Sequence, residues 1–581
     1  MDSFNNLFSR IINPENEIIT FAAQQGDADA QYLLGLYFCT GEECVPNFKE
    51  AVKWFRKAAE QGHSDAQNNL GVCYANGDGV SQNFKEAIKW YRKAAEQGHV
   101  SAQLNLAICY TDDQNVIPDY QEAVKWYRKA AQQGHPDAQF RLGLCYANGD
   151  GVSQNFEEAV KWFRKAASQG HAIAQLSLGV CYCNGDGVSQ DAKEAIKWFR
   201  KSADQGLPEA QLKLGVSYLN GAGVSQDFEE AVKWFRKAAD QGLDEAQFYL
   251  GLCYDNKKNA SDKDYEEAVK WYRKAAEQGH GQAQLNLASC YADVSLSIHN
   301  YHEAAKWFRE AAEQGFAEAQ YNLGVCYILG YGVAPNQKEA AKWFREAAEQ
   351  GFAEAQNCLA KCYYDGDGIK QNYKEAVVWY RKAAEQGHAI AQFNLAGCYY
   401  SGIGIAQNNE EAIKWWLKAA EQGHATAQFN LGNSYYRGEG VTQNFEEAVE
   451  WYYKAAQQGL PEGQFTLGNC YYYGEGVEQN YKEATKWYRK AAEQGFAEAQ
   501  YSLGNCYHDG EGVKQNYKEA AKWWRKSAQQ GLTDAQFNLG VSYLNGDGVK
   551  QSNLYALRWL FQAALHGDDK AAEIMKSLEN E

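Results

Sequence analysis

One glycine recurs at positions 26, 62, 98, 134, 170, 206, 242, 279, 315, 351, 387, 423, 459, 495, 531 and 567. Fourteen of the fifteen intervals are 36 residues, and the exception, from Gly242 to Gly279, carries one extra residue within Asp255 to Asp264. A fixed period of this length predicts fifteen copies of one supersecondary unit stacked in a row, because such a unit cannot bury its apolar face alone. Copy number then accounts for the 581 residues, which exceed the roughly 250–300 residues a single core reaches. With 45% hydrophobic residues and 7 Pro, the chain is neither disordered nor a linker-rich string of beads.

One repeat, residues 63–98, shows what each copy folds into. Ala66, Leu70, Cys73 and Tyr74 fall at helical spacing and predict a first helix. The stretch from Asn76 through Gly77, Asp78 and Gly79 to Val80 predicts a turn, since glycine tolerates the positive φ that ends a helix. A second helix follows, with Ala87, Ile88, Tyr91, Ala94 and Ala95 inward and Lys85, Glu86, Lys89, Arg92, Lys93 and Glu96 toward water. Small residues such as Gly71, Ala87 and Ala94 let helices approach closely. A Trp stands eight residues before the closing Gly in all fifteen repeats, from Trp54 to Trp559, and is expected to anchor the core between the two helices.

These residues resemble the Sel-one-like repeat family, a branch of the tetratricopeptide-type helical solenoids. The segments AQ-x-x-LG-x-x-Y, G-x-GV, EA-x-x-W and KAA-x-QG carry the resemblance over residues 14–581. It implies an all-α fold, a right-handed α/α solenoid superhelix of about fifteen 36-residue helix-turn-helix repeats. It also implies a protein-binding role, as in bacterial adaptors, effectors and host-interaction factors and in eukaryotic degradation complexes. The expected organisation is an N-terminal capping helix in residues 1–26, one continuous array of repeats over 27–567, and a C-terminal capping helix in 568–581. Three turns depart from the pattern, at Thr111 to Pro118 in repeat 3, Asp255 to Asp264 in repeat 7 and Ala292 to His299 in repeat 8. They are expected to alter the local turn and the superhelical pitch.

Several chemistries are disfavoured by the residues themselves. A net charge of -17 does not suit a binder of nucleic-acid phosphates. No signal-like basic and apolar N-terminus and no membrane-length apolar stretch is visible, so a cytoplasmic location without membrane insertion is expected, with export lacking a classical signal as the alternative. Eleven of the 15 cysteines share one register position, where Ser217, Ser434 and Ser542 also occur, which predicts a small buried residue rather than a disulfide. The turn at Asn148 to Glu157 superficially resembles a calcium loop, but Tyr146 holds its first position and Lys85 the twelfth in a sister copy. Histidines such as His63, His99 and His135 follow the closing glycine singly, and His299 with His302 falls short of a ligand set, so no metal and no cofactor are expected. No Ser-x-x-Lys, Gly-x-Ser-x-Gly or phosphate-loop pattern occurs, which leaves a β-lactam hydrolase or binder as a remote alternative and predicts no enzyme.

A sharper signal comes from equivalent positions on the first helix, where solenoids of this type present their concave side. Early repeats carry Asn69, Val72 and Ala75, or Ser177, Val180 and Cys183. Repeats 10–14 instead carry Cys358, Lys361 and Tyr364; Asn394, Gly397 and Tyr400; Asn430, Asn433 and Tyr436; Thr466, Asn469 and Tyr472; and Ser502, Asn505 and His508. An Asn amide both donates and accepts, so a ladder of them is suited to the backbone of an extended peptide, and tyrosines beside it supply contact area with a polar tip. The candidate peptide-binding residues are therefore Asn394, Tyr400, Asn430, Asn433, Tyr436, Asn469, Tyr472, Asn505 and His508. The partners expected are proteins or peptides, held by a non-enzymatic scaffold or adaptor.

Overall fold

A computed structural model describes residues 14–40, 46–112, 118–257 and 260–579. Among these residues are 32 helices and no strand. No helix among them is long and apolar enough to cross a membrane. The chain divides into two compact halves, Met1–Ala283 and Gln284–Glu581, and within each half the repeats are helix hairpins packed in sequence order.

Repeat 2 shows why these residues adopt this form. Its first helix, Ser64–Asn76, starts at His63, whose Nδ1 accepts the Ala66 N–H at 3.2 Å, and stops at Gly77 with φ 84°. Two residues on, Gly79 has φ 71°, and a Cβ there would stand 2.3 Å from the Phe48 carbonyl oxygen of the preceding repeat, so both backbone and space demand glycine. The Asn83 N–H then donates to the Tyr74 carbonyl at 2.8 Å and closes the turn. Its side chain caps the second helix, Phe84–Glu96, by accepting the Glu86 N–H at 3.2 Å.

The atypical turns keep parts of this closure. In repeat 3 residues 113–117 lie outside the described residues, yet Asp119 N–H still reaches the Tyr110 carbonyl at 2.9 Å. Repeat 8 does the same through Asn300 and Tyr291 at 2.8 Å. Repeat 7, where residues 258 and 259 lie outside the described residues, starts its second helix early, at Asp262, under a Ser261–Asp264 capping box. There Lys257 pairs with Asp264 at 2.8 Å.

Two aromatic positions divide the packing. Trp90 joins a cluster that links Ala51, Phe55 and Ala58 of repeat 1 to Leu70 and Cys73 of repeat 2. The tryptophan position therefore seals the joint between consecutive repeats, beyond the hairpin expected of it. Lysines cover its outer face, with Lys93 4.3 Å from the Trp90 ring centre. The ring pressed between the two helices of one repeat belongs to the next residue. Tyr91 lies over Gly71, where a Cβ would stand 2.7 Å from its ring.

Each first helix also buries a glutamine. Gln67 donates from Nε2 to the Ala59 carbonyl of repeat 1 at 3.0 Å, and its Oε1 accepts from Gln97 at 2.7 Å. Gln392, Gln428, Gln464 and Gln500 make the same two bonds. The shared cysteine position is buried at Cys73, Cys145, Cys181, Cys253 and Cys470, and burial pushes the Cys73 and Cys470 thiols up to about 12. Where serine replaces it, the hydroxyl donates to the carbonyl four residues earlier, as Ser434 does to Asn430 at 3.1 Å. At the two ends, Pro14–Gln25 buries Ala23 against Ala30 and Leu34, and Asp569–Glu579 buries Ala571 against Leu560 and Ala563.

Gly432→Ala should destabilise by about 1–3 kcal/mol, as overpacking does, because a Cβ would stand 2.7 Å from the Tyr452 ring. Gly397→Ala meets nothing within 4 Å. It should stabilise by about 0.5–1 kcal/mol through helix propensity, so urea midpoints should move in opposite directions. Burial also holds the His388 and His424 imidazoles below their usual range while each caps a helix, accepting from Ala391 at 3.1 Å and Ala427 at 3.2 Å. As pH falls below about 6.5 the unfolded chain takes the proton first, so this stability is present above that value and is lost toward the lower folded pKa. Replacing both with Asn, which keeps the cap, should flatten the fall in Tm between about pH 7.5 and about pH 5.5.

Candidate functional site

The first helices of repeats 11–14, Ala389–Ser401, Ala425–Arg437, Pro461–Tyr473 and Ala497–Asp509, all lie in the second half and carry the asparagine and tyrosine stripe. Three of its asparagines are tied to the second helix of their own repeat. Asn433 Oδ1 accepts from Tyr452 at 2.8 Å, Asn469 Oδ1 from Tyr488 at 2.7 Å, and Asn505 Oδ1 from the Trp524 indole at 2.9 Å. An indole N–H only donates, so the Asn505 oxygen must face it and the NH₂ must face away. Asn505 Oδ1 also accepts from Asn538 at 3.4 Å. The row expected to donate and accept thus has its acceptor side committed internally, and what it offers outward is N–H.

The other asparagines differ. Asn394 donates to Asn357 Oδ1 at 3.3 Å, and the half-buried Asn430 side chain makes no hydrogen bond among the described residues. His508 does not extend the tyrosine row: it pairs with Asp509 at 2.6 Å and its ring lies 5.3 Å from Trp524.

Tyr400, Tyr436 and Tyr472 are each locked by a glutamate of the following repeat, a feature the sequence reading missed. Tyr400 donates to Glu439 at 2.8 Å, Tyr436 to Glu475 at 2.7 Å and Tyr472 to Glu511. The signal was available in the turns, because the Gly-Glu-Gly form occurs at 438–440, 474–476 and 510–512, each time one repeat after a stripe tyrosine. Elsewhere the middle residue is Asp78, Asp150, Asp186, Ala222, Tyr331, Asp367, Ile403 or Asp547. The Glu475 carboxylate, together with burial, pushes the Tyr436 hydroxyl up to about 12. Tyr472 is raised chiefly by burial and then by Glu511, and Tyr400 chiefly by its bond to Glu439. All three therefore stay protonated donors at neutral pH, holding their rings rigidly between repeats.

At the junction of repeats 10 and 11 the stripe opens into a cavity of about 620 Å³, lined in part by Lys361, Tyr364, Tyr380, Phe393, Asn394 and Gly397. Among the described residues no group of three or more His, Cys, Asp and Glu side chains is placed to hold a metal ion. In the calcium-like turn of repeat 4, Asn148 donates to Asp150 at 3.1 Å, a bond that stiffens the turn.

The family model described as Sel1 repeat matches fifteen consecutive segments, from residues 28–63 to residues 533–568. Among solved structures, a protective antigen of uropathogenic Escherichia coli strains displaying an SLR fold is 36% identical, with TM-score 0.55, over 79% of this chain and 90% of that one. A Sel1 repeat protein from Oxalobacter formigenes is 31% identical, with TM-score 0.41, over 60% of this chain and 90% of its own. No curated protein matches the chain.

The tyrosine and glutamate pairs predict measurable coupling between repeats. In a double-mutant cycle with Tyr436→Phe and Glu475→Ala, the interaction energy should be about 1.5 kcal/mol, the low end for a hydrogen bond to a charged group because the pair is only partly buried. Denaturant unfolding of the four proteins reads it, and additive effects would show that the bond contributes nothing.

Proposed function

Because the chain belongs to the Sel1 repeat family, whose solenoids serve protein–protein interaction, we propose that it is a non-enzymatic, cytoplasmic scaffold or adaptor that holds an extended segment of a partner protein along the first helices of repeats 10–14. The observation that supports this reading is the row of Asn433, Asn469 and Asn505, whose oxygens are engaged inside the fold and whose amide N–H groups are left for a ligand. Such a row pairs with backbone carbonyls whatever the side chains of the bound segment are. Tyr400, Tyr436 and Tyr472 lie beside it with their hydroxyls already bonded. Aromatic rings fixed before binding lose little conformational entropy on contact, which is how a preorganised surface gains affinity.

An exported, host-facing factor is the second reading. It is favoured by the 36% identity with the protective antigen of uropathogenic Escherichia coli strains. The two readings share the binding face and separate on whether antibody reaches the protein on intact producing cells.

The test uses a near-isosteric change. Replacing Asn433, Asn469 and Asn505 together by Asp keeps the oxygen that Tyr452, Tyr488 and Trp524 require and turns the outward N–H groups into acceptors. Affinity capture with mass spectrometry should then lose the proteins retained by the unaltered chain. An unchanged set of captured proteins would sink the reading.

A further inference from the structure

Repeats 10, 12 and 13 each press a tyrosine of the second helix against their own first helix, and two of the three hydroxyls find an acceptor inside the fold. Tyr452 donates to Asn433 and Tyr488 to Asn469. In repeat 10 the position of those asparagines is held by Lys361, whose ammonium can only donate. Tyr380 is 4% exposed, and its hydroxyl has no hydrogen-bond partner among the described residues. That hydroxyl is not sealed off as the unpaired Trp487 and Trp523 indole nitrogens are, and Tyr380 lines the cavity of about 620 Å³ at the junction of repeats 10 and 11. Tyr91 in repeat 2 also lacks a partner, but there the facing position is Val72, which brings no charge.

Three donors line this cavity. Beside the Tyr380 hydroxyl stand Lys361, which makes no ion pair among the described residues, and Asn357. The Asn357 Oδ1 already accepts from Asn394 at 3.3 Å, so its NH₂ is the group left over. Burial, with smaller contributions from Cys398 and Asp365, raises the Tyr380 phenol above its ordinary range, so it stays protonated and donates at neutral pH. A hydroxyl, an ammonium and an amide N–H together call for an acceptor, and the ammonium favours a charged one. The opposing charge is Asp365, exposed on the same lining one helical turn after Lys361 and bonded to neither Lys361 nor Tyr380. Phe393 gives an apolar wall for the stem of an incoming side chain. A neutral carboxamide could accept from Tyr380 but would forgo the charge-assisted bond to Lys361.

We infer that this cavity is the subsite for an aspartate or glutamate side chain of the bound protein segment, whose carboxylate accepts from the Tyr380 hydroxyl and the Lys361 ammonium in the place that Asn433 fills for Tyr452 from within the chain. The inference rests on the protein-binding role proposed above and adds a charge preference at one point along it.

Ligand-observed saturation-transfer NMR with the full-length protein tests it, using the capped peptide Ac-Ala-Ala-Glu-Ala-Ala-NH₂ and its counterparts with Gln or Leu at the centre. The glutamate peptide should bind several-fold more tightly than the glutamine peptide, and the leucine peptide should give no response. Tyr380→Phe removes a hydroxyl that bonds nothing inside the fold, so Tm should hold while the glutamate peptide weakens several-fold. Lys361→Asn copies repeats 12 and 13 and supplies the acceptor from within, so it should raise Tm and abolish binding of the glutamate peptide. Should that variant fail to fold, Lys361→Met should weaken the same peptide several-fold. Asp365→Asn removes the opposing charge and should strengthen it several-fold. Equal binding of the glutamate and glutamine peptides, a response to leucine, an affinity unchanged in Tyr380→Phe or in both Lys361 variants, or a weaker one in Asp365→Asn would each overturn the subsite. Acetate that displaces the glutamate peptide at equal concentration would show an anion held without its segment and would overturn it too. Loss of captured partners in the Asn→Asp variant alongside a glutamate peptide that does not bind would remove the subsite and leave the scaffold reading standing.

Discussion

The fold depends on one buried amide per repeat. Gln67 is 4% exposed, yet it has a carbonyl of the preceding repeat on one side and a glutamine of its own second helix on the other. A buried polar group is tolerated only when satisfied, and here satisfaction requires three helices in one register. Hydrophobic contact alone would let a helix of alanines and leucines slide past its neighbour. The amide, which has one position for its donor and one for its acceptor, forbids that. Gln31 does the same for the first repeat, donating to Ala23 at 2.9 Å and accepting from Gln61 at 2.8 Å, so the helix Pro14–Gln25 is held by the rule that holds the repeats.

Once register is fixed this way, positions facing away from the joint are free to vary. The stripe position held by Val72 in repeat 2 becomes Lys361, Gly397, Asn433, Asn469 and Asn505 in repeats 10–14. Each change has a local consequence the scaffold absorbs. The asparagines find hydroxyl or indole donors on the neighbouring helix, whereas in repeat 11, where Gly397 takes their place, the buried Trp416 indole has no hydrogen-bond partner. The tyrosines next to them reach the following repeat through Glu439, Glu475 and Glu511, so the variable surface also ties adjacent repeats together. Rigidity and ligand-facing chemistry thus come from the same side chains.

Much of this was legible in the residues. The 36-residue recurrence gave the hairpins, the glycines at 77 and 79 gave the turn, and the cysteine register gave a small buried site where Ser434 stands as well. The tryptophan was read as the pin of its own hairpin, and the ring that fills that place is Tyr91, one residue on. Helical periodicity cannot separate them: both face inward, and which one meets Gly71 depends on how the two helices cross. The pairing of Tyr436 with Glu475 spans 39 residues, just beyond one repeat, so no spacing rule inside a repeat would find it, although the Gly-Glu-Gly turns marked it.

By itself the sequence determined the helices, the glycine turns between them, the number of copies and the family, because these follow from local propensity and from repetition that one chain displays. Only the tertiary structure decided which way each buried amide turns and which donors find acceptors. Asn505 and Gly397 hold equivalent positions in the repeat, yet one pairs with an indole and the other leaves an indole unpaired. The physical reason is that a hydrogen bond between two helices depends on their packing and on the side chain across the joint, and neither is encoded within the period of a single repeat.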